Sequence, residues 1–377
     1  MYYLFGDVIT NGKVLPNYYV GIDGEYITEV GTEPRFKQAP VYYEEGNYIC
    51  PGLIDVHIHG VHGLDFMDVD QPKRFSTMAS HLARHGVTSF LATSRTSSME
   101  DLLLFLDEVS HFDHQNSQIL GVHLEGPWIS EKYRGAQPTS YIRPFSEDDL
   151  STIIKPYHSL IKKITLAPEL VEHTSRIQEV EELGIRLSMG HTDASFDTVQ
   201  HVTEQGVHHM THTFNAMSPF HHRTPGAAAA ALYFKDINTE IIADSLHVHP
   251  AIIKLLYNTK GKDYVVVVSD CTGYDHLEDG TYHMRGKTLI KRGKGIYLEQ
   301  GNLAGSSLLL IQMLKVLVEQ CNIPIEDVIY MMTQTPIKTL TVNQKVGQLK
   351  KGYRANAIVL DHTYQLKYTI VNGAVVN

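Results

Sequence analysis

The sequence predicts an α/β fold, a (β/α)8 TIM barrel with a small β-sandwich domain built from both chain termini. Three observations lead to this prediction. The chain has 377 residues, enough for one barrel of about 250 residues with additions. Both ends read as short strands joined by turns, whereas the middle alternates short apolar strands with helix-period stretches. We therefore expect a small β domain from residues 1–51 and 342–377 and a catalytic barrel from residues 52–341.

The two chain ends carry the same hairpin signals. The N-terminal segments alternate apolar and polar residues and are separated by Asn11-Gly12 and Asp23-Gly24, and the C-terminal segment contains Asn372-Gly373. Asn-Gly and Asp-Gly favour tight β-turns because these residues tolerate positive φ angles. One small domain assembled from both ends is the economical interpretation.

Eight apolar segments in the middle of the chain are predicted as barrel strands one to eight. In chain order they are Ile54–Ile58, Ser89–Ser94, Ile119–Leu124, Lys163–Ala167, Arg186–Met189, His208–Thr213, Glu240–Ala243 and Tyr264–Ser269. A doubly wound sheet is the alternative, but it usually has fewer strands and a glycine-rich first turn. Here the first strand ends in His-Ile-His-Gly, which favours the barrel. The glycine-rich stretch Cys271–Gly301 is predicted to be an insertion over the barrel mouth.

The composition limits the classes of partner. The formal net charge is −10, which disfavours a general binder of nucleic acid or of anionic membranes. Only three cysteines occur, which excludes a disulfide framework and favours a reducing compartment, so we expect the cytoplasm. The N-terminal segment lacks the pattern of a signal peptide, and no run of about 18 apolar residues predicts a membrane span.

Polar side chains that bind metal ions or carry protons follow most of the predicted strands. Strand one ends in His57 and His59, which project to one side because alternate residues of a strand share a face. Strands three, five, six and eight end in Glu125, His191, His212 and Asp270. Barrel enzymes place their reactive residues at these strand ends. Imidazole and carboxylate ligands predict a divalent ion, zinc before iron, manganese or cobalt.

The same residues predict hydrolytic chemistry. An ion with three protein ligands and an open position activates a bound water, and Asp270 is the natural general base and later general acid. Taken singly, a His-x-His or a carboxylate at a strand end is often structural. Buried charged groups at five strand ends, however, would cost several kcal/mol unless they were paired or bound to metal. We therefore favour the metal site.

A basic cluster predicts an anion site. His221, His222 and Arg223 stand together in an acidic chain, and Pro225-Gly226 precedes an alanine run that is predicted to be helical. Arginine binds phosphate bidentately, and the amides of a first helical turn also favour an anion. A solvated surface turn is the alternative, and spacing alone leaves both readings open.

Nearly the whole chain resembles the amidohydrolase superfamily and, within it, the family of N-acetylglucosamine-6-phosphate deacetylases. The resemblance is carried by PGLIDVHIHG (51–60), GVHLEGPWIS (121–130), MGHTDA (189–194), THTFNAMSPFHHRTPG (211–226) and GNLAGSSL (301–308). LEGP together with H-x-x-NAM is specific to these deacetylases, whereas the His-x-His is shared across the superfamily.

The resemblance implies a role for each matching position. The primary metal ligands it implies are Glu125, His191 and His212, and His57 and His59 match ligands of a second ion, bridged through Glu125 or Asp270. Asp270 matches the catalytic acid and base, and His247 matches the residue that binds the substrate and polarises the acetamide carbonyl. The other positions that match substrate contacts are Ala136, Gln137, Asn215, Ala216, Arg223, Leu303, Ala304 and Gly305.

The expected activity is therefore metal-dependent hydrolysis of the acetamide of N-acetyl-D-glucosamine 6-phosphate to D-glucosamine 6-phosphate and acetate. One or two ions per subunit are expected, in a homodimer whose Arg223 can serve the neighbouring subunit. The segment 271–275 departs from the family pattern, which puts the local loop geometry in question. Strand four is followed by Pro168-Glu169 and lacks the lysine of carboxylated-lysine relatives. The alternatives are a cyclic-amide hydrolase or deaminase and, less favoured, a non-catalytic binding relative.

Overall fold

Strands from both ends of the chain form one seven-stranded sheet. The structure, a computed structural model, describes residues 1–68, 71, 73–112, 118–171, 173–284 and 286–376. The strands of the terminal sheet are Tyr2–Thr10, Lys13–Asp23, Tyr26–Gly31, Val41–Pro51, Ala357–Leu360, Leu366–Val371 and Ala374–Val376. Ala357–Leu360 pairs with Val41–Pro51, so the two chain ends are hydrogen-bonded to each other. The small β domain predicted from the termini is confirmed, and its strands are connected as a single sheet.

Eight parallel strands form a second sheet that curls into a nearly closed barrel. Barrel strands one to eight are Leu53–Ile58, Val87–Thr93, Gln118–Glu125, Ile161–Leu166, Arg186–Met189, His209–Met210, Asn238–Ile242 and Val265–Val268. The backbone amide of Asp270 donates to the His57 carbonyl at 2.9 Å, and that of His59 donates to the Cys271 carbonyl at 2.9 Å. These bonds bring the first strand and the segment after the last strand together. The predicted barrel is confirmed, and all eight predicted strands are present.

Strand six is shorter than the sequence predicts, since it ends at Met210 and not at Thr213. The reason is local backbone geometry. His212 has a φ of 28°, outside the β region, so the chain turns at this point and cannot continue the ladder. The shortening therefore places His212 on a turn at the barrel mouth.

Helices cover the outside of the barrel. The helical segments are Arg74–Arg84, Met99–Ser110, Thr139–Tyr141, Glu147–Asp149 continuing into Leu150–Ile154, Pro168–Leu170, Ser175–Glu182, Phe196–Glu204, Ala227–Tyr233, Pro250–Lys260, Leu310–Lys315 continuing into Val316–Gln320, and Ile325–Thr339. Two of them begin at serine caps, where Ser98 and Ser195 accept backbone amides three residues ahead. Their apolar faces and the strands share one large buried core. Among the described helices, none has both the length and the apolar character to cross a bilayer.

The predicted insertion after strand eight forms a small antiparallel sheet of its own. Its strands are Gly280–Met284, Lys287–Arg292, Gly295–Leu298 and Leu303–Ser306. Tyr274, Leu289, Ile296 and Ala304 make a separate apolar cluster beneath it, against which Ala136 packs. The insertion therefore contacts the loop that follows barrel strand three at the mouth of the barrel.

Candidate metal and substrate site

A cavity of about 370 Å³ opens at the carboxyl ends of the barrel strands. His59, Glu125, His191, His212 and Asp270 line it, so residues from five strand ends meet in one place. Parallel strands in a barrel direct their C-terminal ends to one face, which is why residues far apart in sequence converge here. His57 lies directly beneath this surface and is fully buried.

Glu125, His191 and His212 form the first of two donor groups, which we call the Glu125 group. Glu125 Oε1 lies 3.3 Å from His191 Nε2 and 3.2 Å from His212 Nε2. The Nδ1 of His191 lies 2.9 Å from the Tyr133 carbonyl, to which it donates. The neutral His191 ring then turns an Nε2 lone pair toward a carboxylate oxygen, which also only accepts. A cation between these atoms satisfies both of them, so the donor set fits a divalent ion.

His57, His59 and Asp270 form the second donor group, the Asp270 group. Asp270 Oδ1 lies 3.3 Å from His59 Nε2 and 3.5 Å from His57 Nε2. Within the described residues, the buried Nε2 of His57 makes no hydrogen bond, although Glu125 Oε1 is 3.2 Å away. Glu125 Oε2 also lies 3.2 Å from His59 Nε2, so one carboxylate touches both groups. This arrangement fits two ions that share Glu125.

Two charged residues beneath the Asp270 group were missed by the sequence analysis as parts of the site. Glu240 Oε2 lies 3.1 Å from His57 Nδ1, and Lys163 forms an ion pair with the other oxygen of Glu240. Both residues stand inside apolar barrel strands and are buried. The sequence signal for these two residues was a charged side chain within a predicted core strand, because such a side chain needs a buried partner.

The buried charges act strongly on one another. Burial alone would raise the pKa of Glu125, but the neighbouring His57 and His191 rings hold it well below its usual range. Burial opposes the charge on His57, yet Glu125 and Asp270 raise its pKa to about 10. Burial would also raise the pKa of Glu240, but the Lys163 ammonium lowers it to about 2. Without an ion, the carboxylates of Glu125 and Asp270 therefore face a protonated His57, and a bound cation would take over the role of that proton.

The backbone is strained where the site residues stand. His191, His212 and Asp270 have φ angles of 46°, 28° and 47°, in a region that non-glycine residues adopt rarely. Such conformations cost about 1–3 kcal/mol each and persist where the surrounding structure imposes them. Each of the three residues stands two positions after the last residue of a barrel strand, where the positive φ turns the chain.

His247 lies on the cavity wall and is held by a carboxylate. Its Nδ1 is 2.6 Å from Asp244 Oδ2, and Asp244 Oδ1 accepts the backbone amides of Leu246 and His247 at 2.8 Å each. Burial would raise the pKa of Asp244, but these contacts, with His247 first among them, lower it. The His247 ring is thereby fixed through one nitrogen, which leaves Nε2 as its other polar atom.

The residues predicted to contact substrate divide into two sets. Seven of them line the same cavity as the donor groups, namely Ala136, Gln137, Asn215, Ala216, Leu303, Ala304 and Gly305. Gln137 also donates to Glu125 Oε2 at 2.7 Å. Arg223 does not line this cavity; it is exposed and lines a neighbouring surface depression, which shares Lys132 and Tyr133 with the cavity. Within this chain, the structure therefore does not bring Arg223 to the cavity.

Three cations on the cavity wall were not singled out from the sequence. They are Arg95, Lys132 and Lys287. Arg95 pairs with Asp65 at 3.1 Å, Lys132 pairs with Asp193 at 2.9 Å, and Lys287 donates to the Ala136 carbonyl at 2.7 Å. They stand on loops and on the insertion, where strand periodicity gives no signal of which way a side chain points.

The family model described as "Amidohydrolase family" matches residues 48–376. The chain belongs to the amidohydrolase family. Members are metal-dependent, and the two donor groups supply residues that can hold an ion. The chain is 35% identical to the N-acetylglucosamine-6-phosphate deacetylase of Bacillus subtilis, over 97% of this chain and 94% of that protein.

Solved structures of N-acetylglucosamine-6-phosphate deacetylases match this amidohydrolase over its whole length. The Pasteurella multocida enzyme has a TM-score of 0.92 at 30% identity and covers 100% of both chains. A mutant of the Mycobacterium smegmatis enzyme, solved in complex with N-acetyl-D-glucosamine-6-phosphate, has a TM-score of 0.91 at 25% identity. That match covers 100% of this chain and 99% of the other. The family resemblance seen in the sequence is thus confirmed.

Proposed function

We propose that this amidohydrolase removes the acetyl group of N-acetyl-D-glucosamine 6-phosphate by hydrolysis, giving D-glucosamine 6-phosphate and acetate. The observation that carries the proposal is one cavity in which Asp270 faces the two histidines and the carboxylate of the Glu125 group. The relatives and the solved complex named above support the choice of an acetamido sugar phosphate as substrate.

The donor groups are proposed to hold two divalent ions, with zinc favoured over iron, manganese and cobalt. Glu125, His191 and His212 would hold the first ion, and His57, His59 and Asp270 would share the second with Glu125. Imidazole nitrogens and carboxylate oxygens suit these borderline metals. When bound, a divalent ion supplies Lewis acidity that makes water a nucleophile near neutral pH and polarises the amide carbonyl.

Asp270 and His247 are proposed to move and stabilise the reacting charges. Asp270 takes a proton from the water as the water oxygen bonds to the acetamide carbon. It gives this proton to the sugar nitrogen as the carbon–nitrogen bond breaks. His247, fixed through Nδ1 by Asp244, presents Nε2 to the carbonyl oxygen and donates to the oxyanion when the ring is protonated. The proton that Asp270 takes from water ends on the amine, and the second proton of the water leaves with acetic acid, which ionises to acetate near neutral pH.

The sugar is proposed to lie between the loops that line the cavity, with its phosphate bound by Arg223. Because Arg223 lies outside the cavity of its own chain, we propose a homodimer in which the Arg223 of each subunit completes the cavity of the other. Phe220 and Tyr233, with 64% and 70% of their surface exposed, lie near Arg223 in sequence and offer apolar area for such a contact.

Acetate release tests the proposed function. Purified protein loaded with zinc is incubated with N-acetyl-D-glucosamine 6-phosphate, with unphosphorylated N-acetyl-D-glucosamine, and with the 4-epimeric acetamido sugar phosphate. We expect rapid release from the first substrate only, and Asp270→Asn should lower it by about 10²–10⁴-fold. No release from any substrate by metal-loaded protein would refute the proposal and return the chain to the wider amidohydrolase class. Near-full turnover by a metal-loaded Asp270→Asn variant would remove the acid–base role.

A mixing experiment tests the dimer and Arg223 together. Arg223→Ala should raise KM for the phosphorylated sugar by about 30–150-fold, the equivalent of one desolvated phosphate contact. Lys235→Ala, an exposed cation outside the cavity, is the control. Unfolding and refolding Arg223→Ala together with Asp270→Asn should restore about a quarter of normal activity, because a mixed dimer contains one intact site. If, at substrate far below the raised KM, the mixture releases acetate no faster than the two variants do separately, Arg223 does not act across subunits.

Two further assignments are proposed on lesser grounds. The proposed division is into a terminal β domain, residues 1–51 with 342–377, and a barrel, residues 52–341. Two separate sheets support it, and the terminal sheet has an apolar cluster of its own on one face. The three cysteines are buried and free, which supports a reducing compartment, and we propose the cytoplasm.

A further inference from the structure

A line of buried charge runs across the barrel interior beneath the Asp270 group. Lys163 of strand four pairs with Glu240 of strand seven, and Glu240 contacts His57 of strand one. The exposed fractions of these residues are 2%, 6% and 0%. The three strands are not neighbours in the barrel, so the line crosses its centre. Burying an ion pair costs several kcal/mol per ion before the partners' attraction is counted. Apolar residues would fill this space at lower cost, so a reason beyond packing is needed.

Glu240 determines which nitrogen of His57 carries the proton. Its carboxylate accepts from His57 Nδ1 at 3.1 Å, so the neutral ring keeps its lone pair on Nε2. Nε2 is the atom that faces the donor groups, 3.2 Å from Glu125 Oε1 and 3.5 Å from Asp270 Oδ1. The contact thus presents the lone pair of His57 to the place where an ion would lie.

The other three histidines of the donor groups lack such a partner. The Nδ1 atoms of His59 and His212 are buried and make no hydrogen bond within the described part of the chain. His191 donates to a neutral backbone carbonyl. A carboxylate behind a metal-binding imidazole orients the ring and makes it a stronger ligand than a carbonyl does. Among the four rings, His57 alone receives this support.

Lys163 orients the carboxylate of Glu240, as Glu240 orients the ring of His57. The ammonium binds one carboxylate oxygen, which leaves the other oxygen aimed at His57 Nδ1. It also supplies a buried positive charge beneath a site that gathers the carboxylates of Glu125, Asp270 and Glu240. Without it, the Glu240 carboxylate could rotate away from His57 Nδ1.

We propose that Glu240 and Lys163 are positioning residues that fix the tautomer and orientation of His57 and thereby determine whether the Asp270 group binds an ion. This inference rests on the proposed two-ion site. It predicts that binding of the ion at the Asp270 group depends on Glu240, whereas binding at the Glu125 group does not. Glu240 contacts the Asp270 group through His57 and makes no hydrogen bond to His191 or His212 among the described contacts.

The test is a metal titration that needs no substrate. Metal-free protein is titrated with Co²⁺ and, separately, with Zn²⁺, and binding is followed by calorimetry and by the visible absorption of Co²⁺. The unmodified protein should bind two ions. In Glu240→Gln, one ion should bind about 10–100-fold more weakly, while the other keeps its affinity. Glu181→Gln is the matched control, because Glu181 also pairs with a cation, Arg186 at 2.8 Å, and lies away from the donor groups.

A double variant separates positioning from packing. Glu240→Gln alone leaves Lys163 without its partner, and that buried charge could unfold the protein. Lys163→Met with Glu240→Gln removes both charges and should fold, yet it should show the same selective loss of one ion. The proposal would be overturned if the double variant bound both ions as tightly as the unmodified protein does. It would also be overturned if the unmodified protein bound a single ion. Because acetate is not measured, failure of the proposed substrate leaves this result interpretable.

Discussion

The two donor groups are built from the same residue types but are held in different ways. The Glu125 group stands on strands three, five and six, and its outer contacts are neutral: the Tyr133 carbonyl behind His191 and the Gln137 amide on Glu125. The Asp270 group stands on strands one and eight, and its outer contact is the buried Glu240. Each group contains three donors, but the Asp270 group also contacts the shared Glu125 and has a buried ion pair behind His57. From this difference we expect the two proposed ions to have separable affinities.

The strongest way to break this comparison is to remove the residue that both groups share. Glu125→Gln replaces two carboxylate oxygens that contact four imidazoles with one amide oxygen and an NH2 group. An amide carries no charge to hold a cation, so both ions should be lost. We expect acetate release to fall by more than about 100-fold, beyond the range typical of outer contacts.

Metal analysis and steady-state kinetics on the same preparation check this result. Glu131→Gln, an exposed carboxylate on the loop after strand three, is the control and should keep both ions. A Glu125→Gln protein that still binds two ions would show that Glu125 does not connect the groups.

A pair of histidine variants sharpens the comparison. His191→Gln leaves the Glu125 group with two ligands, below the three or so that a catalytic ion needs. His57→Gln removes one ligand of the Asp270 group and leaves the Glu125 group complete. We expect His191→Gln to lose the ion at the Glu125 group and about 100-fold or more in kcat. His57→Gln should lose only the other ion and about 10-fold or less.

Metal content and kcat, measured side by side, decide between separable and joined groups. Both variants should unfold at similar denaturant concentrations once metal is removed, which controls for damage to the barrel. If the two variants lose equal amounts of metal and equal factors in kcat, the two donor groups act as one unit and do not differ in how they hold their ions.

Much of the barrel and of its donor set follows from the sequence. Five strand ends carry metal-binding or proton-carrying residues, and the barrel geometry alone predicts that they meet. Short apolar segments, separated by segments of helical periodicity, predicted all eight barrel strands. These features are local, because each depends on a few neighbouring residues and on a periodicity of two or 3.6 residues.

What the sequence could not predict depends on pairs across the barrel. The contact of Lys163 with Glu240 joins residues 77 positions apart, and no local pattern indicates that the two side chains meet. Strand six ends at Met210, and His212 has a positive φ angle that no periodicity in the sequence indicates. The position of Arg223 outside the cavity likewise depends on the fold of a surface loop.

The smallest expected effect concerns Asp244, which supports His247 and belongs to neither donor group. Its pKa is lowered in the folded protein, against the effect of burial, by His247 and two backbone amides. A carboxyl with a folded-state pKa below its unfolded value near 3.9 stabilises the fold above that pH and loses the contribution as pH falls through the folded value. Asp244→Asn should therefore lower the free energy of unfolding at pH 7, and its deficit relative to the unmodified protein should shrink below about pH 4.

Urea unfolding of both proteins at pH 7, 5 and 3.5, with metal removed, measures this difference. Asp193→Asn provides the control, since Asp193 pairs with Lys132 at the surface, where an ion pair contributes about 0–1 kcal/mol. Metal content should be unchanged in Asp244→Asn, because no donor residue contacts Asp244 among the described hydrogen bonds. A deficit that stays constant from pH 7 to pH 3.5 would mean that the Asp244 charge does not stabilise the fold. Loss of either ion in Asp244→Asn would instead show that Asp244 and His247 affect metal binding by the donor groups.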